Sequence, residues 1–160
     1  MNSKSRFGRK VTGWISLFIL LAFITASFGT AEAKSSKTVK VPATVQWVNT
    51  GIRLTAGQKV TIVAKGSAWT IKSDPKTKCN PNGNRKYLCG SDPGAPPPCA
   101  MNYAPYGQLV GKIGYGLAFR VGKKISFTAS TAGILYLSVN DNLRWYSDNA
   151  GGYTATILVK

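Results

Sequence analysis

The chain has 160 residues, and 21 lysine and arginine residues against five acidic ones give it a formal net charge of +16. It contains three cysteines and no histidine, which excludes histidine-based nucleophile systems, imidazole general bases and histidine zinc sites, while so few carboxylates disfavour a paired-acid hydrolase. With 44% hydrophobic residues, the composition favours a folded chain over a disordered one, and the length fits one domain.

Residues 1–33 are expected to be a secretory signal peptide. Four basic residues fall within residues 1–10, an apolar run extends from Val11 to about Phe28, and Ala31-Glu32-Ala33 supplies an A-x-A cleavage site. We place cleavage after Ala33; the alternative is an uncleaved membrane anchor, for which the run is near the lower length limit. The expected mature chain is a single basic domain, residues 34–160, that is secreted or periplasmic.

The rest of the sequence indicates strands. Apolar residues come in short β-branched or aromatic runs, many of them alternating, and no convincing amphipathic helix is found. This pattern predicts an all-β fold, an antiparallel β-sandwich of jelly-roll type. The predicted strands span residues 38–48, 52–54, 59–64, 67–71, 108–113, 117–121, 124–129, 133–139 and 153–159.

Residues 72–106 interrupt the strand pattern and are predicted to form one long loop. They contain seven of the eight prolines and all three cysteines, Cys79, Cys89 and Cys99, in a C-x9-C-x9-C spacing. Since three is odd, at most one internal disulfide forms and one thiol is left over. We expect the disulfide to staple the loop, with intermolecular pairing of the third cysteine as the alternative. The spacing matches no zinc site.

A second loop is predicted between the strands 133–139 and 153–159. It contains Asp141 and Asp148, seven residues apart and each beside asparagine. Carboxylate, amide and backbone oxygens are the ligands that Ca²⁺ prefers, and Gly151-Gly152 would let the chain fold back sharply. The alternative is structural, because Asp and Asn are also common turn residues. The order of an EF-hand loop is absent.

Three stretches carry a family resemblance. Residues 47–66 contain T-G-I-x-L-x-x-G-x-x-V-T-I-V-A-x-G, and residues 107–114 read G-Q-L-V-G-K-I-G. Within residues 133–157, Asn140-Asp141 and Asp148-Asn149 keep an ungapped N-D…[ND]-N-x-G spacing. Together these stretches resemble the LecA-type (PA-IL-like) calcium-dependent galactophilic lectins of bacteria. The resemblance implies a galactose-binding-domain-like β-sandwich.

The resemblance also implies a set of calcium ligands. These are the side chain of Asp141, the backbone carbonyl of Trp145 and the side chains of Asp148 and Asn149, with a distant carbonyl near Trp69 or Thr70. Sugar hydroxyls complete the metal shell in that family. Asp148 stands where the family usually has asparagine, which keeps an oxygen ligand and adds a negative charge.

The region that touches the sugar departs from the family. There the family has a His and a Gln, whereas this chain has the Cys/Pro/Gly-rich residues 72–106 without histidine, so galactose specificity is not carried over. Trp145 replaces a small residue and would either stack on a sugar or block the pocket. The candidate ligand contacts are Trp145, Tyr146, Tyr103, Tyr106 and Asn142. The alternative role for the aromatic side chains is packing of the loops.

The sequence therefore favours an exported, non-catalytic, calcium-dependent carbohydrate-binding protein for a galactose-like sugar or another glycan. A homo-oligomer is compatible with this interpretation. The alternative is a basic structural or adhesion protein that binds anionic envelope polymers or protein partners, with calcium at most structural. No nucleic acid is expected as a partner, since no recognition motif is present. The basic residues that suggest the alternative are Lys34, Lys37, Lys40, Lys72, Lys76, Lys78, Arg85 and Lys86.

Overall fold

The structure, a computed structural model, describes residues 35–91 and 98–160. The expected signal peptide and its cleavage site lie outside the described residues, as does residue 34. The described part contains eleven strands and two short 3₁₀ turns, so the all-β prediction is confirmed. The strands are β1 Ser35–Pro42, β2 Val48–Leu54, β3 Lys59–Trp69, β4 Lys78–Cys79, β5 Asn84–Leu88, β6 Pro105–Tyr106, β7 Leu109–Ile113, β8 Phe119–Arg120, β9 Lys124–Thr128, β10 Gly133–Val139 and β11 Ala150–Val159.

The strands form two main sheets and a small third one. In the first sheet the order is β1-β11-β3, and β4 and β9 both pair with β3. The second sheet has the order β2-β10-β7-β8, and β5 pairs with β6 separately. Every pairing is antiparallel. The predicted antiparallel β-sandwich is therefore confirmed.

The core lies between the two main sheets and follows from the alternation along the strands. In β3 the buried residues are Val60, Ile62, Ala64 and Ala68, while Val63 points outward. They join Leu135 of β10 and other residues of the second sheet in one apolar cluster. Full burial of a leucine or isoleucine side chain contributes about 1.5–3 kcal/mol, so this shared cluster holds the sheets together.

Two predicted strand boundaries are wrong for identifiable backbone reasons. Residues 38–48 are not one strand, because β1 ends at Pro42, which has no N–H to continue the ladder. Residues 59–64 and 67–71, predicted as two strands, are instead one strand, β3. Gly66 adopts φ +121° there, and a Cβ would lie 2.6 Å from the carbonyl oxygen of Gly152. Glycine therefore lets the two strands stay paired without a break.

Gly151 and Gly152 do not fold the chain back, contrary to the sequence expectation. Both lie inside β11, which is flanked by β1 and β3. A Cβ on Gly151 would lie 2.5 Å from the carbonyl oxygen of Ser67, and one on Gly152 would meet the carbonyl oxygen of Val41. The glycines therefore permit close approach of neighbouring backbone inside the sheet.

The segment 72–106 is more ordered than predicted over its described residues. It contains β4, the pair formed by β5 and β6, and a 3₁₀ turn at Pro75–Thr77. A disulfide joins Cys89 and Cys99, and Cys79 is free. The expectation of one internal disulfide and one remaining thiol is thus confirmed. Within the described ranges, no helix is long and apolar enough to cross a membrane.

The alternation in β3 yields a stability test. Ile62→Ala should lower the free energy of unfolding by about 2–5 kcal/mol, because it removes a fully buried side chain from the core. Val63→Ala, one residue away on the 47% exposed side, should cost about 0.5 kcal/mol or less. Urea denaturation of both variants checks the prediction. Equal losses would mean that the assigned inner face of β3 is wrong.

Candidate functional site

The residues of the predicted calcium loop lie at one end of the sandwich. Residues 140–149 connect β10 to β11 and contain a 3₁₀ turn at Tyr146–Asp148. The first pair of the β11–β3 ladder is Ala150 with Trp69, which places Asn149 beside Thr70. The N–H of Lys72 donates to the carbonyl of Asp148 at 2.7 Å. The fold thus brings the loop and the end of β3 together, as the resemblance implies.

Three oxygens of this loop are buried without a hydrogen-bond donor: Oδ2 of Asp141, Oδ1 of Asp148 and Oδ1 of Asn149. The other oxygen of Asp141 accepts from the N–H of Asn142 at 2.6 Å. Nδ2 of Asn149 donates to the carbonyl of Ala43 at 3.0 Å, which leaves its oxygen free. Buried polar atoms are rarely left unpaired, and each such group calls for an explanation.

These three oxygen atoms are of the kind that a hard cation takes as ligands. Two carboxylates and one amide oxygen are supplied by side chains, and Ca²⁺ takes six to eight oxygen ligands of this kind. Among residues 35–91 and 98–160, no group of three or more His, Cys, Asp or Glu side chains could hold a metal. Softer metals, which select thiolate or imidazole, therefore have no suitable cluster in that part of the chain.

The pKa of Asp141 is raised, as expected for a buried carboxylate without a positive partner among the described residues. Burial raises the pKa of its carboxyl group from 3.8 to about 6, and the nearby Asp148 charge adds to the rise. The N–H of Asn142 and the side chain of Asn149 lower the pKa but do not offset burial. The buried Asp141 carboxylate and the nearby Asp148 carboxylate repel each other, so a bound cation would offset this repulsion.

A cavity of about 650 Å³ opens beside Asp141. Thr70, Tyr106 and Trp145 line it, together with residues of the turn after β3 and of β5. Trp145 is 47% exposed, and its carbonyl accepts from the N–H of Asp148 at 3.1 Å. The volume lies in the range of small-molecule sites. The cavity therefore places an exposed aromatic ring and a buried carboxylate around one space.

The other predicted ligand contacts occupy different positions. Tyr146 is buried and its hydroxyl donates to the carbonyl of Val139 at 2.6 Å, so it packs the loop inward. Tyr103 is exposed but does not line the cavity, and Arg120 donates to its carbonyl. Asn142 is buried, and its Oδ1 accepts from the N–H of Arg144. Of the predicted contacts, only Trp145 and Tyr106 line the cavity.

Asn140 is a residue that the sequence reasoning missed. Its fully buried side chain accepts from the N–H of Met101 at 2.8 Å and donates to the carbonyls of Ala104 and Pro105, both at 3.1 Å. The side chain therefore holds residues 101–105 against the end of β10, directly before Asp141. Its place in the N-D-N sequence marked it as a loop residue, but no local pattern could reveal its distant partners.

The free thiol of Cys79 is partly buried against β3. Its sulfur lies 3.6 Å from the carbonyl oxygen of Ala68 and 3.5 Å from the hydroxyl of Tyr153. Burial raises the pKa of Cys79. A raised pKa disfavours the thiolate, which is the nucleophilic form.

Comparison with known proteins finds a likeness among the solved structures. No family model matches the chain, and no curated protein matches its sequence. The chain is lectin-like in structure: it is similar to a solved structure described as "EclA N-terminal domain; PllA-like lectin". The TM-score is 0.60 and the identity is 25%, over 77% of this chain and 95% of that one.

Asp141 should give the metal-free protein a characteristic pH dependence. Its folded pKa of about 6 exceeds the ordinary value of 3.8, so the folded state binds the proton more tightly. In chelator, Asp141 should make its full contribution to the free energy of unfolding below about pH 4. This contribution, up to about 3 kcal/mol, should be lost as the pH rises through about 6. Thermal unfolding of the wild type and Asp141→Asn between pH 4 and 7 measures it. Parallel profiles would contradict the assignment.

Asn140 should anchor the loop before β6. Asn140→Ala removes the partners of three backbone groups and should cost about 2–4 kcal/mol of unfolding free energy. It should also expose residues 98–107 to limited proteolysis. Asn49→Ala, which loses one exposed local hydrogen bond, is the matched control and should change stability by less than about 1 kcal/mol. Protease resistance of the loop in Asn140→Ala would contradict the anchoring role.

Proposed function

We propose that this chain is an exported, non-catalytic, calcium-dependent carbohydrate-binding protein of the LecA type. The observation that carries the proposal is the set of three buried oxygens without donors, on Asp141, Asp148 and Asn149, beside a cavity. A lectin-like structural neighbour supports the class of protein. Each of the three residues was expected as a calcium ligand from the sequence resemblance alone.

Different residues of the chain would bind the cation and the sugar. Asp141, Asp148 and Asn149 would hold the cation with side-chain oxygens, and the carbonyls of Trp145 and Thr70 would add backbone oxygens. Bound Ca²⁺ supplies positive charge that attracts sugar hydroxyl oxygens. Trp145, half-exposed at the cavity, offers a flat apolar face to the C–H side of a sugar ring.

Export is supported by two independent features. Residues 1–33 have the basic, apolar and small-residue order of a secretory signal peptide. The Cys89–Cys99 disulfide belongs to an oxidising compartment, where such bonds persist. The absence of histidine from the sequence and the raised pKa of Cys79 support a binding role rather than catalysis.

Calcium binding can be tested by titration calorimetry on the full mature chain. Wild-type protein should bind Ca²⁺, and Asp141→Asn should lower the affinity by about 100-fold or more, since it removes a charged ligand. Asp74→Asn is the matched control: Asp74 lines the same cavity, but its carboxylate caps the 3₁₀ turn, so affinity should be nearly unchanged. Equal affinities in the wild type and Asp141→Asn would show that the calcium site lies elsewhere.

Sugar binding can be tested on a glycan array with calcium and with chelator. The proposal expects retention that is lost in chelator and in Asp141→Asn. Retention that survives chelator but falls as salt is raised would instead support the basic adhesion protein, because salt screens exposed charges. Absence of retention in calcium would contradict carbohydrate binding.

A further inference from the structure

The cavity beside Asp141 has a feature that its expected role with neutral sugars does not require. Two lysines, Lys76 and Lys86, line it. Lys76 lies in the 3₁₀ turn Pro75–Thr77, and Lys86 lies in β5, so two separate segments each contribute a cation. Both residues are exposed. Within the part of the chain that the structure describes, neither forms an ion pair with a carboxylate.

The segments that carry these lysines are held in place next to the calcium loop. Asp74 caps the turn, its carboxylate accepting from the N–H of Lys76 at 2.9 Å. The hydroxyl of Thr77 donates to the carbonyls of Ile71 and Asp74 at 3.0 and 2.8 Å. The N–H of Lys72 bonds to the Asp148 carbonyl. The turn therefore has a fixed relation to the residues expected to hold the cation.

Lys86 is placed by its neighbours in the same way. Its N–H donates to Oδ1 of Asn84 at 3.2 Å, and its ammonium lies 5.4 Å from the centroid of the Tyr87 ring. Tyr87 also lines the cavity and is 54% exposed. An ammonium over an aromatic face is held there by cation–π attraction. The wall thus presents a positive charge beside an apolar surface.

The charge that the described residues give the cavity becomes positive once the calcium ligands are occupied. Among residues 35–91 and 98–160, the charged groups that line it are Asp74, Asp141, Lys76 and Lys86. If Asp141 and the nearby Asp148 are neutralised by Ca²⁺, one carboxylate of this set remains against two ammonium groups. Asp74 is in addition engaged with the backbone of Lys76. Two cations on separate segments are therefore left to face a ligand.

We propose that the cavity takes an anionic glycan, a sugar bearing a carboxylate such as a uronic acid, whose charged group is held by Lys76 and Lys86. This inference rests on the proposed function, since the sugar hydroxyls would face the Asp141 loop. The apolar rim formed by Ile71, Leu88 and Trp145, each 37–47% exposed, would contact the ring. The excess of positive charge over the whole chain would attract a polymer of such sugars.

The test compares two probes that differ in charge and by one methyl group: the methyl glycoside of galacturonic acid and the methyl ester of the same compound. Calorimetry in calcium should show the acid binding about tenfold more tightly than the ester. Raising sodium chloride from about 50 to about 500 mM should weaken binding of the acid and leave the ester nearly unchanged.

Variants assign the effect to the two lysines. Lys76→Gln with Lys86→Gln should lower the affinity for the acid to that for the ester, and Lys86→Arg should retain most of the preference. Lys124→Gln removes the same charge from an exposed position in β9 that does not line the cavity, and should leave the preference intact. Unchanged melting temperatures would show that the variants are folded.

The other outcomes separate this inference from the proposed function. Equal, calcium-dependent binding of acid and ester would overturn the anionic preference and leave the lectin proposal standing. Binding of the acid that ignores chelator and weakens equally in Lys124→Gln would be non-specific attraction, and would overturn the inference. If neither probe nor any glycan binds in calcium, the proposed function fails and the inference fails with it.

Discussion

The fully buried amide of Asn140 is the contact on which the arrangement of the site depends. It lies at the end of β10, directly before Asp141, and bonds to backbone groups of Met101, Ala104 and Pro105. Through it, the loop stapled by the Cys89–Cys99 disulfide is held against the end of the sandwich. The same side chain therefore fixes both the disulfide-linked loop and the position of Asp141. A neutral amide suits this task because it satisfies donors and acceptors without burying another charge.

Asp141 and Asp148 place two acidic side chains together in a chain whose net charge is strongly positive. Positive groups dominate the sequence, yet Asp141 is buried with its charge disfavoured and Asp148 nearby. Burial of the Asp141 carboxylate beside a second carboxylate costs free energy unless a cation or hydrogen bonds offset it. The described residues provide too few donors, since three oxygens remain unpaired. A bound divalent cation is the physical means that would convert this local cost into stability, as it would in other loops built from oxygen ligands.

The parts of the molecule that follow from local pattern were predictable from the sequence. The apolar runs along β10 and along the first half of β3 predicted strands there, and Asp141, Asp148 and Asn149 marked the loop after β10. Long-range pairing was not visible in the sequence. Gly66 separated two predicted strands, although its positive φ lets β3 continue there, paired with Tyr153 of β11. The roles of Asn140 and of the lysines near the cavity depend on contacts between segments distant in sequence. Such contacts arise from the tertiary fold, and no pattern within a short stretch of sequence indicates them.

The segment between β3 and β7 departs from the LecA-type lectins that the sequence resembles. It has no histidine to touch a sugar, and it places lysines at the cavity instead. Histidine is largely neutral at pH 7 and reads hydroxyls by hydrogen bonding, whereas lysine carries a full charge and three donors. If the proposed calcium ligands are retained while the polar group beside the sugar is exchanged, the same sandwich would keep its means of holding hydroxyls and change the sugars that it prefers. The lysines of this loop and the Asp141 site would then be two parts of the proposed binding surface.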